Sequence, residues 1–166
     1  MSGAGRILQL SISAGGVPKR AVAKVWVTRL GLEGDAHRDA EHHGGPDRAV
    51  CLFAMEAIHA LAAEGHAIAP GAIGENVTTE GLAWDLVVPD TYLLLGEGVL
   101  LQVTRYTSPC LTIAPVFTDR QYSRVSQKRH PGFSRVYTRV LTEGRLRPGD
   151  GIRIVGEREA VRSSPA

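Results

Sequence analysis

Three stretches of this 166-residue sequence concentrate side chains able to do chemistry. The densest is GLEGDAHRDAEHHGGPDRAV, residues 31–50, where Asp35, His37, His42, His43 and Asp47 stand among glycines and a proline. Imidazoles and carboxylates at this density suit either a zinc or iron ion or proton transfer near neutral pH. Their spacing matches no helix-borne motif such as H-E-x-x-H, and adjacent histidines on an extended chain point to opposite faces. Acid–base or hydrogen-bonding work by His42, His43 and Asp47 at a pocket is therefore the expected chemistry, with plain turn residues as the alternative. The second stretch, GAIGENVTTEGL at residues 71–82, brackets Glu75, Asn76, Thr78 and Thr79 with glycines. It lacks the Lys-Ser/Thr ending of a phosphate-binding P-loop. It is either a turn in which Asn76 satisfies backbone groups or a polar lip for a heteroaromatic ligand.

The third stretch is RYTSPCLTI, residues 105–113, and it holds one of only two cysteines. Cys51 lies in the apolar run AVCLFAM, where a free thiol packs as a small hydrophobe. Cys110 follows Ser108 and Pro109 at a strand-to-helix corner, with Arg105 nearby; a cation and a helix N-terminus both favour the thiolate. Packed sulfur, half of a disulfide, nucleophile and ligand for a soft metal are the four readings of Cys110. The N-terminus lacks the layout of a secretion signal, so the chain is expected in the cytoplasm with reduced thiols, which disfavours the disulfide. Local chemistry does not choose among the rest.

These residues must be positioned by a mainly β scaffold. RILQLSIS and VAKVWVTRL alternate with period two, which puts Val25 and Val27 on one face and Trp26 on the other. DTYLLLGEGVLLQVT reads as two strands joined at Gly96-Glu97-Gly98, and SRVYTRVLTEG and GDGIRIVG as two more. FAMEAIHALAAEGH reads as a helix with Met55, Ile58, Leu61 and Ala62 on one stripe, stopped by Gly65. TDRQYSRVSQK reads as a second, weaker helix capped by Thr118 or Asp119. Short strands, Gly/Pro punctuation and one to three short helices imply a barrel or sandwich rather than a parallel α/β sheet. Residues 1–156 form one domain, and the polar segment 157–166 is expected to fray as a flexible tail.

Composition excludes several classes. At 43% apolar and 22% charged residues the chain is globular, and no run approaches the ~18 apolar residues of a membrane-spanning helix. Charge is uneven: residues 1–104 hold 7 Lys/Arg against 12 Asp/Glu, a net of −5, whereas residues 105–166 hold 12 against 5, a net of +7. A basic wall facing an anionic ligand such as a phosphate fits that asymmetry. Only 5% aromatic residues and no DNA- or RNA-binding motif speak against nucleic acid.

In their order, GLEGDAHRDAEHHGGPDRAV, GAIGENVTTEGL and LQVTRYTSPC resemble the MOSC domain, the C-terminal domain of molybdenum-cofactor sulfurases. The similarity is greatest to standalone bacterial members associated with resistance to N-hydroxylated purines. The motifs span residues 31–110, and the flanking strands extend the match to about residue 155. This resemblance implies a barrel-like MOSC fold and a pocket for the molybdenum cofactor. Cys110 takes the place of the family cysteine that engages molybdenum or carries sulfur, as a soft thiolate can. Glu75, Asn76 and Thr78 fall in the pterin-contacting loop; Lys19, Arg20, Arg105 and Ser108 are candidates to hold the phosphorylated tail. His42, His43 and Asp47 come from the HHGGPD signature and are taken as catalytic candidates.

The implied activity is a molybdenum-dependent oxidoreductase that reduces N-hydroxylated bases or related N–O compounds. Its electrons would come from separate redox partner proteins. The alternative is a carrier that works with cofactor-biosynthesis proteins and bears a persulfide on Cys110. A thiol hydrolase using Cys110 and a histidine is the third reading. Pyridoxal phosphate chemistry in this family belongs to fused sulfurases; no lysine-bearing Schiff-base motif occurs here, so that cofactor is not expected.

Overall fold

The structure, a computed structural model, describes residues 3–36 and 45–164. Its eleven strands are β1 (Ala4–Ile12), β2 (Arg20–Val22), β3 (Val25–Thr28), β4 (Gly31–Leu32), β5 (Val50–Ala54), β6 (Val77–Glu80), β7 (Tyr92–Leu95), β8 (Val99–Tyr106), β9 (Val136–Thr142), β10 (Gly144–Leu146) and β11 (Gly151–Val155). Among the described residues two α-helices join them, α1 (Met55–Ala63) and α2 (Glu157–Ser163).

Seven strands close into a barrel in the order β11-β7-β8-β9-β5-β6-β1, with β1 returning to β11. Closure removes the exposed edges that an open sheet of this size would present. The long strand β1 makes it possible: Ala4–Arg6 pair with β11, while Leu10–Ile12 pair with β2 outside the ring. The β7–β8 hairpin follows from alternation. Leu93 and Leu95 face Leu101 and Val99 across the ladder, all buried, and the strands turn at Gly96 as the spacing predicts. β5 and β6 run parallel, and α1 supplies the crossover that parallel neighbours need. Ala57, Ile58 and Leu61 are its buried stripe, so Ala57 takes the place that periodicity assigned to Ala62. Gly65 ends it at φ +100°.

Three expectations change. The stretch 22–30 is not one strand, because the chain leaves its pairing with β1 after Val22 and starts a small sheet, β10-β3-β4. Val25 and Val27 still face the core and Trp26 solvent, as the alternation requires. Residues 118–128 do not form one helix; they make two 3-10 turns, Thr118–Arg120 and Tyr122–Val125, broken by positive φ at Asp119 and Arg120. The segment expected to fray as a tail instead forms α2 over residues 157–163. Its Ala160 packs into a satellite core with Leu100 and Val155, covering barrel surface that the sequence pattern does not reveal. Among the described residues, no helix is long and apolar enough to cross a membrane.

Barrel closure sets a backbone constraint at Gly5. A Cβ there would sit 2.5 Å from the Glu80 carbonyl oxygen and 2.6 Å from the Leu82 nitrogen, whereas one at Gly3 would meet nothing within 4 Å. Gly5→Ala should therefore lower unfolding free energy by about 1–3 kcal/mol, the usual cost of forced overpacking. Gly3→Ala should stay within about 0.5 kcal/mol, as open surface sites do. Urea denaturation followed by circular dichroism checks the pair; equal midpoints for both variants would show that the strands part without cost.

Candidate functional site

The barrel strands and their loops enclose a cleft of about 200 Å³. Cys51 of β5, Asn76 at the entry to β6, and Arg135 and Tyr137 at the start of β9 line it together with Lys19 and Cys110. A wider basin of about 680 Å³ adjoins it, bordered by Arg48, Arg105, Ser108 and Tyr122. Cys110, Thr112 and Tyr137 line both, so the Cys110 thiol stands where cleft and basin meet.

Local structure explains that position. β8 ends at Tyr106, the Thr107 amide donates to the Arg135 carbonyl at 3.0 Å, and Ser108-Pro109 turns the chain out of the sheet. Cys110, in extended conformation, caps a 3-10 segment, Leu111–Val116, whose Ile113 and Ala114 anchor in the core. The thiol is left half-buried and free, as is the buried Cys51.

The polar floor is a continuous hydrogen-bond chain. Asn76 Nδ2 donates to the Ser11 carbonyl at 3.1 Å and to Asp35 Oδ2 at 2.9 Å, and Asn76 Oδ1 accepts the Cys51 amide at 3.0 Å. Only this amide orientation satisfies two acceptors and one donor at once. Asp35 Oδ1 accepts Lys19 Nζ at 2.6 Å and the Ser13 amide at 2.9 Å. The Lys19 and Asp35 side chains are 6% and 2% exposed, so this ion pair is buried. Breaking one partner of such a pair strands the other charge.

Burial tunes the titrating groups around this floor. Desolvation pushes the Cys51 thiol up to about 12, against the opposing field of Arg135. Tyr137 is likewise raised to about 12, first by burial and then by Cys51, with Arg135 and Arg48 opposing. Cys51 is therefore a neutral thiol at working pH, although it shares the cleft with Cys110. Glu75, fully buried beside Asn76, is raised to about 7, chiefly by burial. Thr78 donates to its Oε2 at 3.2 Å, while Oε1 is buried without a hydrogen-bond partner.

Of the residues singled out by sequence, the structure brings Cys110, Lys19 and Asn76 together in the cleft and adds Arg105 and Ser108 in the basin. Lys19 is not a free cation, because Asp35 holds it. Glu75, just before β6, and Thr78 within it sit fully buried behind the lining. Arg20 is exposed on β2, away from both lining sets. Asp47 lies on the surface, paired with Arg139 at 2.7 Å, so it is not a cleft acid. His37, His42 and His43 lie outside the described residues. Among the described residues, no three His, Cys, Asp or Glu side chains gather as a metal site.

Sequence reasoning passed over Asp35 as a hub and Arg135 altogether. Arg135 is 8% exposed, and its Nη1 donates to the Ile73 carbonyl at 2.6 Å. The available signal was alternation in β9: Val136, Thr138 and Val140 face one side, which sends Arg135 and Tyr137 together to the other.

The fold and site together define a closed seven-stranded barrel with a free thiol between a narrow cleft and a wider basin edged by arginines. The chain belongs to the MOSC domain family, whose model matches residues 39–153. It is 34% identical over 148 residues to the uncharacterized protein YflK of Bacillus subtilis, covering 87% of this chain and 65% of that one. To protein YiiM of Escherichia coli it is 38% identical over 100 residues, covering 54% of this chain and 44% of YiiM. The chain thus spans less than two thirds of either curated relative. The crystal structure of YiiM from Geobacillus stearothermophilus superposes with a TM-score of 0.70 at 26% identity, covering 92% of this chain and 75% of that one.

Glu75 makes a pH prediction. Its folded pKa, about 7, lies above the ordinary 4.5, so the folded state holds a proton that the unfolded state releases. Stability is then highest below pH 4.5, falls as pH rises toward 7, and stays lower above it. Glu75→Gln should abolish that component, gaining up to about 3 kcal/mol over wild type at pH 8 and little at pH 4. Urea melts at both pH values measure the difference, and a wild-type-to-variant gap that does not change with pH would refute the buried carboxyl.

Proposed function

We propose that this chain binds the molybdenum cofactor and reduces N-hydroxylated bases or related N–O compounds, with electrons delivered by separate protein partners. One observation carries the reading: a free, half-buried thiol, Cys110, at the junction of a mostly apolar cleft and a basin edged by arginines. Thiolate is the protein ligand whose softness suits molybdenum. The basin of about 680 Å³ lies within the ~300–1,000 Å³ of usual ligand sites, and the cleft of about 200 Å³ opens beside it. An extended anionic pterin fits the basin's combination of space, thiol and cations.

On this reading Cys110 holds the metal, and the cofactor supplies two-electron redox chemistry there. Arg105 and Ser108 hold the phosphorylated tail in the basin, where a solvated cation beside a hydroxyl recognises phosphate. Asn76 cannot turn toward a ligand without abandoning Ser11, Cys51 and Asp35, so it shapes the floor rather than grips the pterin. With Asp47 held by Arg139, the proton for departing hydroxide falls to His42 or His43 of the HHGGPD motif, as imidazoles titrate near neutrality.

Expression in cells that make the cofactor tests the proposal. The wild-type protein should carry near-stoichiometric molybdenum and release pterin on denaturation; content below about a tenth of an equivalent would overturn it. Cys110→Ser should lose at least about tenfold in molybdenum content and all reduction of an N-hydroxylated base by a supplied electron donor. A persulfide on Cys110 without turnover would instead assign the chain to sulfur or cofactor delivery.

A further inference from the structure

We propose that the inner cleft seats the ring of a planar, monocyclic organic anion and that Arg135 binds its charged edge. This extends the reading above from cofactor to substrate; it rests on that reading only for what reacts at Cys110, and its test needs no molybdenum.

Size comes first. A cavity of roughly 150 Å³ holds benzene, so a cleft of about 200 Å³ takes one six-membered ring and a small substituent. The walls suit such a ring, for Val17, Ala36, Ile73 and Ile113 are apolar and Gly16 and Gly74 present bare backbone. Gly74 keeps that wall thin. It sits at φ +96°, and a Cβ there would press within 3.1 Å of Val17 Cγ1.

Polar capacity decides the rest. Lys19 and Asp35 neutralise one another, and Asn76 has its amide hydrogens and oxygen engaged. Arg135 differs. Its side chain lines the cleft, it is 92% buried (8% exposed), and its Nε has no hydrogen-bond partner. Among the described residues, no carboxylate forms an ion pair with it; Glu75 feels its charge only through space. A buried guanidinium without a counter-anion is costly. The Nη1 bond to Ile73 fixes the guanidinium against the wall, and since Nε is shut off from the cleft, the remaining lining part of the guanidinium is what meets a carboxylate or similar planar oxyanion. A structural staple between β9 and the 71–74 turn would need only the Nη1 bond; a guanidinium that lines the cleft with no carboxylate paired to it among the described residues goes beyond that role.

The same guanidinium could instead receive a phosphate from the cofactor tail, so the experiment separates the two. Cofactor-free protein is titrated calorimetrically with sodium benzoate, with benzamide as a neutral isostere and with inorganic phosphate. Benzoate should bind with a dissociation constant of roughly 0.1–1 mM, in line with the efficiency of small ligands. Benzamide, or benzoate with Arg135→Met, should bind at least about tenfold more weakly, the usual loss for a charged hydrogen bond. Nuclear Overhauser contacts from the benzoate ring to Ile73 and Ile113 methyls in wild-type protein provide a readout that survives if the variant fails to fold. Equal binding of benzoate and benzamide, absence of those contacts, or Arg135-dependent binding of phosphate in place of benzoate would each overturn the proposal. None of these outcomes alters the molybdenum content that tests the cofactor reading, so the two can fail separately.

Discussion

The Asn76 side chain is the joint on which the site depends. Its backbone pairs on both sides, donating to the Cys51 carbonyl and accepting from the Ser11 amide at 2.8 Å each. Its side chain then repeats the tie, reaching the same two residues and adding Asp35. One residue thereby clamps β6 between β1 and β5 at the cleft end of the barrel, where β1 and β6 have shifted register between Ile7 and Gln9. Asp35 passes the order on to Lys19 and to the 13–19 loop that forms one cleft wall. In a low-dielectric interior such a network is strong when complete and expensive when any member is missing.

From that joint the two thiols acquire different characters. Both line one cleft, yet Cys51 lies in a strand with buried neighbours on every side and is held neutral by desolvation. Cys110 sits just past the end of β8, where the chain has left the ladder and the sulfur reaches open space. The barrel thus supplies a hydrogen-bonded scaffold, and a loop leaving it displays the thiol, a common division of labour between regular elements and loops.

The basic excess of the C-terminal third is similarly divided. Arg124, Arg139 and Arg153 are taken up by Glu64, Asp47 and Glu159. Arg105 borders the basin beside Cys110, while Arg120, Lys128 and Arg129 edge the next depression beyond Ser108 and Pro109. Arg135 alone of this group is drawn into the cleft. The cationic wall expected from charge asymmetry therefore exists in part, as a sparse rim rather than a continuous face.

Much of this architecture is legible in the sequence. Period-two alternation marked β1 and β3, Gly96 and Gly65 punctuated hairpin and helix, and the apolar run around Cys51 separated it from Cys110, whereas β5 and β6 lay in stretches not read as strands. Those features are local, because a strand's two faces and a helix's stripe are written within a dozen residues. The break after Val22, the helix over 157–163 and the closing of β1 on β11 were decided by surfaces supplied from elsewhere in the chain. The site depended on tertiary structure still more. Asn76 meets Ser11 across 65 positions and Arg135 meets Ile73 across 62, and no spacing rule spans such distances. Lysine and arginine read alike in a sequence, as cations available to a ligand. Burial then gave Lys19 a partner in Asp35 and left the Arg135 Nε without one, and burial is a property of the folded whole.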